Sequence, residues 1–229
     1  MNQPDPCSIV NLKTRQKKAS VVAAVVCILV FAKLIVAQAP SAAKPTTKRS
    51  EVATIDAYCK ELDAFKNSKR NLPRILGAEV DQTDVPKWKE FKSRRARGEA
   101  FNYILDNVAN AWMKNGKLVI AEFNFETNSG DWSKFVQYYF RDDGTLAKMR
   151  TTFGGFMVFS EHGGGRIVQE RIYNSNGKLL QKRLHCFELE KKHRRIKCSG
   201  DYSNYDGKYY RRAQNLAFYG LLKSGSSRK

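Results

Sequence analysis

The sequence predicts an α+β fold, an antiparallel β-meander sheet with amphipathic helices packed on one face. Three observations predict it. Asn115-Gly116, Asp143-Gly144 and Asn176-Gly177 are dipeptides that favour tight hairpin turns. Apolar residues alternate on either side of each turn. At both ends of the folded part, apolar residues instead recur at spacings of three and four, the stripe of a helix.

Residues 1–37 read as a secretory signal peptide. A basic stretch (Lys13, Arg15, Lys17, Lys18) precedes an apolar run from Ala19 to about Ala32, and small residues follow around Ala37 and Ala39. Cleavage is expected after Ala37, because cutting after Ala39 would place Pro40 next to the scissile bond. An uncleaved signal anchor is the alternative, since Ala19 to Ala39 is long enough to span a bilayer if Lys33 snorkels. Residues 38–50 are rich in Pro, Ala, Ser, Thr and Lys and read as a flexible linker. Residues 51–229 are expected to form a single exported α+β domain, long enough for one core.

Within that domain, Val52, Ile55, Tyr58, Cys59, Leu62 and Phe65 predict a helix over 52–65, with Ser50 as its N-cap. Residues 66–98 carry the breakers Pro73, Gly77, Pro86 and Gly98 and yield no clear element. Phe101, Ile104 and Leu105 suggest a short helix over 99–106. Strands are expected at about 108–114, 117–127, 132–141, 145–153, 166–174 and 178–190, with a short one near 194–199. In the second of these, Val119, Ala121, Phe123 and Phe125 share one face, and Glu122, Asn124 and Glu126 share the other. A last helical stripe runs through Tyr210, Ala213, Leu216, Ala217 and Leu221.

Three segments align on their turn glycines: AWMKNGKLVIAEF, YYFRDDGTLAKMR and RIYNSNGKLLQKR. Their shared aromatic, turn glycine and following Leu resemble the meander repeats of bacterial envelope proteins of the MORN type. The resemblance covers three hairpins and implies a sheet of repeated hairpins in an envelope protein. The glycines lie 28 and 33 residues apart, too uneven for a strict repeat array, so we read shared hairpin chemistry.

Of five cysteines, Cys7 and Cys27 fall in the presequence, leaving Cys59, Cys186 and Cys198. A hairpin turning over Lys191 to His193, with Glu190 paired to Arg194, sets Cys186 opposite Cys198. A disulfide between them suits an oxidising compartment. Cys59 is expected to be a buried thiol.

The formal net charge is +19, and removing residues 1–37 leaves 36 basic and 21 acidic residues, a net of +15. Such a field favours an anionic partner, an envelope component or polyanion. Candidate binding residues are Lys92, Arg94, Arg95 and Arg97 in a basic run, Lys148 and Arg150 on one strand face, and Arg211 and Arg212 beside Tyr209 and Tyr210. No specific nucleic-acid motif is present. His162 lies in Glu-His-Gly-Gly-Gly, but no G-x-S-x-G supplies a nucleophile elbow. His185, Cys186, His193 and Cys198 match no common zinc spacing, so neither metal nor cofactor is expected. Asp142-Asp143 is explained by turn propensity.

The expected function is that of an exported cell-envelope protein, periplasmic or extracellular, with a binding or structural role, and catalysis is disfavoured. One alternative is a lipid- or hydrophobe-binding scaffold, in which Phe123, Phe125, Phe135, Tyr138, Phe153, Phe156 and Phe159 line a cavity. Another is a hydrolase gathering His185 or His162 beside a carboxylate. Whether the concave face of the sheet is filled separates the first of these from the rest.

Overall fold

The structure, a computed structural model, describes residues 48–79, 86–100, 107–127, 129–156, 158, 164–188, 194–198, 202 and 205–224. They belong to one unit, Thr47–Lys229. Its core is a nine-stranded antiparallel sheet in meander order, accompanied by a few helices. In chain order the elements are α1 (Lys48–Asn67), β1 (Arg74–Glu79), β2 (Lys87–Phe91), α2 (Arg94–Ala100), β3 (Asn107–Lys114), β4 (Lys117–Glu126) and β5 (Trp132–Phe140). Then come β6 (Leu146–Gly155), β7 (Gly165–Tyr173), β8 (Leu179–Glu188), β9 (Arg195–Ile196), a 3-10 turn at Ala213–Asn215 and α3 (Tyr219–Ser224). The strands stand in the order β2-β1-β3-β4-β5-β6-β7-β8-β9. The presequence, the first ten residues of the linker segment and residues 101–106 of the short helix expected over 99–106 lie outside the described residues, while Glu99 and Ala100 end α2.

The three hairpins β3–β4, β5–β6 and β7–β8 are built alike. Gly116, Gly144 and Gly177 all have φ between 74° and 81°, which only glycine adopts without strain. Three residues beyond each glycine the pairing slips by one. Trp112 faces Ile120 while Met113 faces Leu118, Tyr139 faces Lys148 while Phe140 faces Leu146, and Ile172 faces Gln181 while Tyr173 faces Leu179. The extra residues are Val119, Ala147 and Leu180, so the sequence likeness of the hairpins corresponds to a shared β-bulge.

These bulge residues fall in one hydrophobic cluster with Val52, Ile55, Cys59 and Leu62 of α1, and with Trp112, Ile120, Tyr139 and Ile172. A second cluster holds Ala121, Phe123, Val136, Tyr138, Phe140 and Met149 together with Ala213, Leu216, Phe218 and Leu222. Tyr138 and Tyr139 are neighbours on one strand, so the two clusters lie on opposite sides of the sheet. The residues of α1 and of α3 thus belong to different clusters.

The C-terminal segment crosses its side of the sheet as a strap. Tyr202 joins Ile167 and Cys186, the Tyr205 ring lies 4.2 Å from that of Phe153, and Tyr138 donates from its hydroxyl to the Lys208 carbonyl at 2.7 Å. At its far end Phe218 meets Trp88 and Phe123, and Arg74 donates to the Leu221 and Leu222 carbonyls. The helix expected through Tyr210–Leu221 is replaced over 208–212 by extended chain. The Leu146 amide donates to the Arg211 carbonyl and the Ala213 amide to the Gly144 carbonyl, bonds a helix would have kept for itself. Ser50 lies inside α1 rather than capping it. Pro73 and Pro86 immediately precede β1 and β2, the position where a strand tolerates proline.

Candidate functional site

Between α1 and the sheet lies a connected set of charges. Register places Arg150 opposite Glu170 and Glu170 opposite Arg183, all on the α1 side. From α1, Asp56 and Asp63 reach the same place, each following a stripe residue, Val52 or Cys59, by four. Lys148 Nζ lies 2.9 Å from Glu170 and 3.2 Å from Asp56. Arg150 bonds Glu170 at 2.9 Å, Arg183 bonds Asp56 at 2.6 Å, and the Tyr139 hydroxyl donates to Asp63 at 2.7 Å. Burial pushes the Glu170 and Asp56 carboxyls up, but the adjacent cations outweigh it and hold both below their ordinary values. Burial raises the Tyr139 hydroxyl and carries the Cys59 thiol up to about 12, which leaves it a poor nucleophile.

Three cations meet three carboxylates here, and Lys148 is only 4% exposed. Lys148 and Arg150, expected among the binding cations, are both paired with carboxylates here. They do share a strand face, but that face looks onto acidic residues of α1 that neutralise them. Asp56 and Asp63 are the residues that sequence reasoning missed. Their place on the edge of the helical stripe was the available signal.

Arg211 and Arg212 stand elsewhere, where the strap meets the hairpin turns. Arg211 donates to the Asn176 carbonyl at 3.1 Å, and the Tyr209 hydroxyl lies 3.4 Å from the Gly177 carbonyl. Arg212 bridges to Thr145 of the β5–β6 turn. Lys178, Lys208, Tyr209, Arg211 and Arg212 are all exposed, so cations and an aromatic ring are gathered on one corner. The nearby Asp143 carboxyl is held low first by its hydrogen bonds from Thr145, then by Arg141 and Arg212.

Lys92, Arg94 and Arg95 are exposed on and before α2, which lies by β1 and β2; Arg95 pairs with Glu99 at 2.8 Å, and Arg97 is half-buried. From β2 to β6 is five strand steps, about 24 Å. The sequence-predicted cations thus form three separate groups rather than one surface.

Cys186 and Cys198 are joined, with Cα atoms 5.4 Å apart, while Cys59 is free and buried. The register differs from expectation. Cys186 faces Ile196, and the Glu188 amide donates to the Arg194 carbonyl, so the strands close two residues earlier and the bridge is diagonal. Arg194 also clasps the Glu188 carboxylate at 2.9 and 3.1 Å, which favours that closure. His162 and His193 lie outside the described residues, and His185 sits opposite Val168. Among the described residues no group of His, Cys, Asp and Glu is arranged to hold a metal ion, and no helix is long and apolar enough to cross a membrane.

No family model matches the chain, and neither a curated protein nor a solved structure matches it.

Proposed function

We propose that the chain is an exported cell-envelope protein whose folded part binds an anionic polymer or surface by charge and ring contacts, without catalysing a reaction. One observation carries this reading: Tyr209 and Arg211 are held on the Asn176-Gly177 turn, with Lys178, Lys208 and Arg212 exposed beside them. Side chains fixed by backbone carbonyls lose less freedom on binding than mobile ones. The reading treats α1 and the strap as the covers of the two sides of the sheet. The strap fills the aromatic side with Phe218, Leu216 and Ala213, which weighs against a lipid-carrying cavity there. The Cys186–Cys198 bridge supports an oxidising compartment.

The test is binding to anionic vesicles and to a soluble polyanion across a salt series. Arg211→Glu with Arg212→Glu should weaken both and flatten the salt dependence, by roughly one unit of slope for each phosphate-like group no longer engaged. The basic run Lys92 to Arg97 serves as a second arm, with charge reversal there expected to have its own additive effect. Binding unchanged by all of these reversals would overturn the reading. Mass and N-terminal sequencing of the protein from its host test export, for which full-length material in the cytosol is the contrary result.

A further inference from the structure

The sheet ends in an edge that is almost unpaired. β9 is two residues long and meets β8 only through Cys186 and Phe187, so among the described residues no strand pairs with the outer side of β8 from Leu179 to His185. The direction of its free groups follows from one bond. The Glu188 amide donates outward to Arg194, and alternation along an antiparallel strand then points the backbone groups of Leu184 and Lys182 outward too. Such groups are a template for another strand.

Beside this edge runs a groove of about 570 Å³ between the start of α1 and β8. Val52, Ala53 and Leu180 give it apolar lining, and Lys48, Arg49 and Arg183 give it charge. Its carboxylate, Asp56, is already held by Arg183 and Lys148. No carboxylate among the described residues pairs with Lys48 or Arg49, and Lys182 is exposed on the edge itself.

From this juxtaposition we infer that β8 accepts an extended acidic peptide as a tenth strand. Its backbone bonds Lys182 and Leu184, and its side chains on the α1 face enter the groove, apolar ones against Val52, Ala53 and Leu180 and acidic ones against Lys48 and Arg49. The charges select the occupant. A second copy adding antiparallel to β8 about Lys182 would set that lysine against its own counterpart, with Arg183 of each copy one step away, and like charges facing across strands repel. The inference does not rest on the strap corner, which is formed by other residues.

The probe is a ten-residue peptide with Thr at every second position and Val and Glu by turns at the positions between, so that one face carries both, with Lys in place of Glu as control, titrated into the full chain. Amide exchange at Lys182 and Leu184 should slow by about tenfold or more with the acidic peptide only. Lys182→Pro removes an outward donor that β7 does not use, so it should abolish binding, whereas Lys182→Ala should only weaken it. Arg49→Glu should reverse the preference between the two peptides, and this arm stands even if the proline variant does not fold. Equal binding by the Pro and Ala variants would overturn strand addition. A dimer dispersed by Lys182→Pro, with no protection by peptide, would overturn it in favour of a second copy. Polyanion binding at Arg211 should survive in Lys182→Pro, so the two sites fail separately.

Discussion

The two sides of one sheet are held by different physics. On the α1 side a regular helix brings carboxylates onto cationic strands, and Glu170, Asp56, Lys148 and Arg183 form a closed set of charges. On the other side an irregular strap lays rings onto rings, with Phe123 meeting Trp88, Tyr138, Tyr210 and Phe218. Alternation along the same strands serves both, since successive residues belong to opposite sides. What differs is tolerance. A ring core loses stability with every cavity, while an ionic core loses it when one partner is removed or neutralised.

Phe218→Ala should have the largest effect, about 4 kcal/mol lost in urea unfolding, because the fully buried ring leaves a cavity between strap and sheet. If the cost falls under about 1 kcal/mol, the strap is a loose cover and the contrast fails.

Glu170→Ala should cost about 3 kcal/mol, since Lys148 would stay buried with half of its compensation gone. Acid sharpens the same point. Glu170 and Asp56 ionise more readily folded than unfolded, so their contribution is complete above the ordinary carboxylate range and is lost as pH falls through their lower folded values. Melting temperature followed downward from about pH 5 should therefore drop less steeply in the Glu170→Ala protein than in the wild type. Equal slopes would show that the ionic side contributes no pH dependence.

Replacing Cys186 and Cys198 together by Ser should cost about 2–3 kcal/mol, the chain-entropy value for a loop of this length. Faster amide exchange should concentrate at Tyr202 and Tyr205, which share a cluster with the bridge. Peptide mapping without reductant should find Cys59 unbridged.

Gly116→Ala should be the mildest change, about 1 kcal/mol. Open space surrounds the added methyl, so only the positive φ is strained. Gly177→Ala should cost more, because its methyl would meet Tyr209 and Arg211 at 3.1 and 3.2 Å. An equal cost at both positions would mean that the strap does not bear on the β7–β8 turn.

The strands from β3 to β8 were legible to within two residues because their turn glycines stand between alternating apolar runs. β1 and β2 were not, since both are short and begin directly after a proline that reads as a breaker. The strap was misread for a different reason. Its apolar residues recur at helical spacing, yet its backbone groups bond to the β5–β6 turn and the chain cannot coil there. Of the site residues, Lys148 and Arg150 were legible as sharing a face, but what would cover that face was not, because it depends on a partner 92 residues away in sequence. The cysteine partners were legible and their register was not, since two-residue shifts preserve which face a side chain occupies.

The repeated hairpin has a metric consequence. One hairpin advances the sheet by two strands, about 10 Å, and seven residues of helix advance by about the same distance. Asp56 and Asp63 are seven apart and serve neighbouring parts of the sheet, the first meeting β6 and β8 and the second β5 and β6. The 20 residues of α1 measure about 30 Å, enough to cross the five strand steps, about 24 Å, from β3 to β8. The helix is thus matched in length to the hairpins it crosses. A chain with a fourth such unit would need a helix longer by about two turns to cross it.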